Sequence, residues 1–142
     1  MFQFEIYALP VPQKHTRFSR GHCYDPSAKD KAAIQWQARP FAPPQPFSDP
    51  AILDLTFYLP IPKSAPAMRK RQMANHVIHH IKRPDVDNLA YLVTNALKGI
   101  FYADDSQIVD LVMRKRYGEI PRTVVRITPI EQIAPTRGEE CV

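Results

Sequence analysis

A chain of 142 residues holds one domain with a real core and is too short for two. Hydrophobic residues at 44% and charged residues at 23% exclude chain-wide disorder, while a net charge of +5 suits a polyanionic partner without demanding one. No apolar run approaches the roughly 18 residues of a membrane span, and Cys23 and Cys141 match neither a zinc nor a disulfide spacing, so the expectation is a cytoplasmic, unexported protein with reduced thiols.

Phe2, Phe4 and Ile6 alternate with Gln3, Glu5 and Tyr7, the period of a strand with one buried face. Residues 13–21, carrying Lys14, Arg17 and Arg20, read as a basic loop without periodicity. Asp25 and Pro26 signal a helix start, with Ala32, Ala33 and Trp36 as its apolar face. Five prolines between Pro40 and Pro50 exclude helix and central strand. The 39 residues before them carry too little to close a core, so the segment is an internal loop rather than a domain linker. Leu53, Leu55, Phe57 and Leu59 alternate with Asp54, Thr56 and Tyr58, which predicts a strand ended by Pro60.

Met68 to Met73, with Arg69, Lys70 and Arg71, reads as a short basic helix, and the stretch from there to His80 carries no assignment. From Asn88 the period is helical, with Leu89, Leu92, Val93, Ala96, Leu97 and Ile100 on one stripe and Gly99 as the C-cap. Residues 108–117 and 123–128 are β-rich runs joined across Gly118 to Pro121, a C-terminal β-hairpin, and the tail past Pro135 frays. The sum is an α+β domain over residues 1–142, a small mixed sheet of about four strands with helices packed on it.

Asp85 and Asp87 follow Pro84, two residues apart. In an extended segment both carboxylates point the same way; on a helix about 200° would separate them, and the helical period begins only after Asp87. Asp104 and Asp105 lie beyond the far end of that helix. A helix of about 11 residues is roughly 16 Å long, so a third carboxylate joins the first two only if the following strand carries Asp105 back. Clustered aspartates suit Mg²⁺, which takes hard oxygen ligands, keeps several waters and binds substrate phosphate. A plainer alternative stays open, with Asp87 an N-cap and Asp104–Asp105 a turn.

His80 to Leu89 (HIKRPDVDNL), Asn95 to Ile100 (NALKGI) and Tyr102 to Val109 (YADDSQIV) follow one another in an order that resembles the RusA-like Holliday junction resolvases. Pro10 to Lys14 (PVPQK) and Arg116 to Glu119 (RYGE) resemble the family's flanks, and the likeness is weak over residues 25–75. The resemblance implies a homodimeric, often phage-associated crossover junction endodeoxyribonuclease of DNA recombination and repair, at the nucleoid. Such enzymes nick four-way DNA junctions symmetrically with Mg²⁺ or Mn²⁺. It implies Asp85, Asp87 and Asp105 as the catalytic, metal-binding residues. Family members carry a lysine one turn past the second aspartate, where this chain has Tyr91, so that role either passes to Lys82 or Arg83 or is weaker here.

Lys14, Arg17 and Arg20 in the first loop, Arg69, Lys70 and Arg71 in the second, and Lys82 and Arg83 are the candidate DNA-binding cations. His80, Asn88 and Asp104 are auxiliary candidates beside the aspartates. His76, His79 and His80 lack a fourth zinc ligand, Asp110 reads as a strand surface residue, and Arg114 and Arg116 share one strand face. Two other functions fit parts of the pattern. One is a junction-binding protein with weak or lost cleavage, suggested by Tyr91; the other is a metal-dependent phosphohydrolase of small substrates, disfavoured by the basic loops.

Overall fold

Residues 1–131 are described by a computed structural model. In chain order they form β1 (Phe2–Ile6), β2 (Arg17–Ser19), β3 (His22–Tyr24), α1 (Ala28–Ala38), β4 (Ala51–Pro60), α2 (Ala67–Ala74), α3 (Val86–Leu97), β5 (Ile108–Gly118) and β6 (Arg122–Pro129). The tail past Pro135 and Cys141 lie outside the described residues.

The period-two pattern of β4 is the organising fact of the fold. Ala51, Leu53, Leu55, Phe57 and Leu59 are all buried, while the residues between them reach solvent. β4 is flanked by β6, antiparallel, and by β5, parallel, and β1 pairs with the far side of β6, giving the order β1-β6-β4-β5. Leu89, Leu92, Val93, Ala96 and Leu97 of α3 pack on the inner face of this sheet with Phe101 and Tyr102. Each of the leucine, valine and phenylalanine side chains removed from water stabilises the fold by roughly 1.5–3 kcal/mol. The result is the expected α+β arrangement with a four-stranded mixed sheet.

Three local readings change. The C-terminal strands follow each other across Glu119–Pro121 and run antiparallel as a hairpin would, but they do not bond each other, because β4 lies between them. The short connection passes over the end of β4, and Gly118 is needed there: a Cβ on it would lie 2.9 Å from the Tyr58 Cβ.

On α1, Ile34 and Ala38 are the buried pair, four residues apart, whereas Trp36 is 78% exposed and Ala32 and Ala33 also face solvent. Trp36 lies about 200° around the helix from Ile34, so only one of them can face the core. The helix also begins later than Asp25-Pro26 suggests; Asp25 Oδ1 accepts the Ser27 N–H at 2.9 Å, an Asx turn that leads into it.

The basic segment near the N-terminus is not an irregular loop. It contains the two-stranded β2–β3 hairpin, separate from the main sheet. The proline-rich segment opens on a 3-10 turn over Arg39–Phe41, where Pro40 is tolerated in the first turn, then runs on as a loop tied down where Phe47 N–H donates to Phe101 O at 2.9 Å.

Candidate active site

Pro84 cannot sit inside a helix, so α3 starts just beyond it. It starts at Val86, two residues earlier than the hydrophobic period indicates. Asp85 is its extended N-cap (φ −72°, ψ 143°), and Asp87 lies in its first turn. The two carboxylates therefore share the N-terminal end of α3, one from an extended residue and one from a helical residue, rather than a common strand face. Both are exposed, the Asp85 side chain makes no capping hydrogen bond, and neither is in an ion pair among the described residues. The free N–H groups and dipole of a helix start favour negative charge, which lets two acids stand here together.

The loop before them is held from β5. Lys115 Nζ donates to Lys82 O at 2.6 Å and to Pro84 O at 3.0 Å. His80 packs its ring on Tyr117 with 4.9 Å between centroids, and its Nδ1 is buried without a partner. Burial, followed by the nearby positive charge of Lys115 and then Lys82, pushes the His80 pKa below its ordinary value, so the ring stays neutral near pH 7. A cleft of about 640 Å³ opens beside Asp85, walled by Pro10, Pro12, Pro60, His80 and Asn88. Asn88 is exposed, and its backbone oxygen accepts the Gln13 N–H at 3.2 Å.

Asp105 is at the opposite end of α3. The helix has 12 residues, about 18 Å of axial length, and Asp105 begins a 3-10 turn beyond its C-terminus. β5 then leads away from Asp105 toward the Asp85 end, so it does not carry this carboxylate back. Among the described residues no three acids, histidines or cysteines gather closely enough to hold one metal ion. Asp104 caps the turn, accepting from Ser106 Oγ at 2.6 Å and pairing with Lys98 at 2.9 Å. Those contacts, with a further one from Asp105, hold its carboxyl well below the usual carboxylate range.

Several of the predicted cations lie on segments that meet the Asp85 end. Lys82 and Arg83 are exposed beside it. Lys70 and Arg71 line a groove of which Pro60 is also a wall, so α2 stands at the same end of β4 as the aspartates, with Arg69 exposed on it. Lys14, Arg17 and Arg20 are exposed on and below the β2–β3 hairpin. Arg114 is engaged elsewhere, with Asp54 at 2.8 Å. Tyr91, one turn past Asp87, is 55% exposed. The cation that sequence reasoning passed over is Lys115, which alternates with Arg114 and Arg116 and so points to the other face, toward α3. That alternation was the available signal.

Residues 8–128 match the family model described as Endodeoxyribonuclease RusA. The chain is also 34% identical over 137 residues to "Uncharacterized protein YqaN" of Bacillus subtilis (strain 168), a match covering 90% of this chain and 96% of the relative.

Proposed function

The chain belongs to the endodeoxyribonuclease RusA family, and from that premise we propose that it cuts four-way DNA junctions by Mg²⁺-dependent hydrolysis, acting as a homodimer. The observation that carries this reading is the pair of exposed, unpaired carboxylates of Asp85 and Asp87 at one helix end, with Lys82 and Arg83 just before them in the chain and Lys70 and Arg71 on α2 at the same end of β4. Two carboxylates fit a hard cation that keeps several waters, and Mn²⁺ takes the same oxygen donors. Bound there, the ion would supply the charge stabilisation for phosphodiester hydrolysis. Lys82 and Arg83 bind the phosphate next to the cut, and the flanking cations hold the strand on either side.

What one chain leaves incomplete supports the dimer. β5 is an edge strand of 11 residues with one side unbonded, and Leu111 and Met113, in register with core-facing Leu53 and Leu55, remain 41% and 36% exposed. A second copy adding its own β5 antiparallel about a two-fold axis would cover them. The same operation would bring the partner's Asp105 to the end of β5 where Asp85 and Asp87 lie, supplying the third carboxylate. A two-fold enzyme then meets a two-fold substrate, whose resolution belongs to recombination and repair.

Labelled four-way junction and linear duplex incubated with Mg²⁺, Mn²⁺ or EDTA, beside Asp87→Asn, test the reading. Paired, metal-dependent nicks in the junction that Asp87→Asn abolishes are expected. Binding without nicking would instead favour a junction-binding protein, and equal cutting of linear duplex would remove the junction specificity.

A further inference from the structure

The β2–β3 hairpin is an arm. All six strand residues are exposed, and it shares no ladder with the main sheet. Phe18 opposes Cys23, and the turn is a tight two-residue link in which Arg20 (φ 50°) and Gly21 (φ 79°) are both left-handed, the geometry that matches the twist of a hairpin. Two isolated strands are marginal in water, so such an arm is not kept for the core it builds.

Phe18 is 80% exposed near its tip, a large apolar ring that nothing in the fold covers. It stands among cations. Lys14, Arg17 and Arg20 lie between residues 14 and 24 with no acid among them, and Asp25 at the root is neutralised by Lys31 at 2.6 Å. The root is anchored. Lys14 N–H donates to Ser27 Oγ at 2.8 Å, and Gln13 N–H donates to the backbone oxygen of Asn88, in the first turn of α3 beside Asp87. The arm therefore springs from the candidate active site itself. An exposed aromatic ring set among positive charges with no acidic neighbour matches a polyanion carrying flat apolar faces, which is what a nucleic-acid strand with an unstacked base offers.

We propose that this arm reads branching: Arg17 and Arg20 bind backbone phosphates while Phe18 stacks on an unpaired or unstacked base at the branch point, close to the bond that is cut. The inference rests on the nuclease reading above. Perfect duplex keeps its bases stacked on each other and offers no free face to the ring, so Phe18 contributes to branched DNA and not to linear duplex.

The test is binding in EDTA, where cleavage is silent. Phe18→Ala and Phe18→Leu are expected to weaken four-way junction binding about tenfold while leaving linear duplex binding and the melting temperature unchanged, and Phe18→Tyr to retain wild-type affinity. In a Trp36→Phe background, Phe18→Trp should show fluorescence quenching on adding junction and none with linear duplex. Wild-type junction affinity in Phe18→Ala, equal loss on both DNAs, or quenching by both overturns the proposal. So does a change of oligomeric state in Phe18→Ala without a change in junction binding, which would make the arm a protein contact. A protein that nicks junctions normally without Phe18 sinks this inference alone; one that binds and cuts no DNA sinks the nuclease reading.

Discussion

The ammonium of Lys115 reaches the backbone oxygen of Pro84 at 3.0 Å, so the residue before Asp85 is tied directly to strand β5. A second bond from the same ammonium to Lys82 O fixes both sides of Arg83. Lys115→Met should free this loop and lower the nicking rate about tenfold, with a higher Mg²⁺ requirement, because a small misplacement of ligands costs that much. Lys115→Arg should recover part of the loss. A Lys115→Met enzyme with wild-type rate and Mg²⁺ titration would show that the tether does not position the aspartates.

If the third carboxylate comes from the partner, the two kinds of aspartate variant must complement. Asp87→Asn and Asp105→Asn proteins are each expected to be inactive. After mixing and subunit exchange, one intact site should appear in every mixed dimer, restoring single nicks but not paired resolution. No recovery on mixing, in samples proven to exchange, would place all three carboxylates in one subunit.

Leu111→Lys puts a charge on the uncovered inner face of β5. Sedimentation should then report a monomer with an unchanged circular dichroism spectrum and no nicking, since folding of the chain does not need this face covered. A dimer that persists would move the interface elsewhere.

His80 has its folded-state pKa depressed by burial and by Lys115 and Lys82, below an unfolded value near 6.5. The unfolded chain therefore takes up the proton first as pH falls. Its contribution to stability is present above about pH 6.5 and is lost as pH drops through the folded value. Urea melts at pH 7.5 and 5.5 should show a larger loss for wild type than for His80→Gln, and equal losses would exclude the imidazole as the cause.

Gly118→Ala tests the crossover at the end of β4. The added Cβ meets Tyr58 at 2.9 Å, an overlap expected to cost about 1–3 kcal/mol. Thermal melting should register it as a shift of several degrees, and an unchanged midpoint would mean that the strand end relaxes freely.

How far the sequence could be read depended on the range of the interactions involved. Leu53 to Leu59 and the stripe from Leu89 to Leu97 repeat one pattern over several residues, and both elements came out where that pattern put them. β2 and β3 are three residues each, shorter than any period can register, so their hairpin was invisible. Trp36 suggested a core residue by its size, but the helix turns it to solvent once Ile34 is buried. Pairing was the least legible: nothing local to residues 108–129 reveals that β4 enters between the last two strands. The site divides the same way. That Asp85 and Asp87 stand together follows from their closeness in sequence, whereas the separation of Asp105 along α3, and the reach of Lys115 to Pro84, depend on how distant segments dock.

The first and last described strands are partners, with Phe2 opposite Ile127 and Ile6 opposite Thr123. Among the described residues β6 alone joins β1 to β4, so until residue 129 has left the ribosome β1 lacks its partner in the sheet. The native sheet can therefore form only after β6 has been made, through a long loop closure that slows folding. A chain cut short before Arg122 would leave the outer side of β4 and all of β1 open as sticky edges, so premature termination yields aggregate rather than a smaller nuclease.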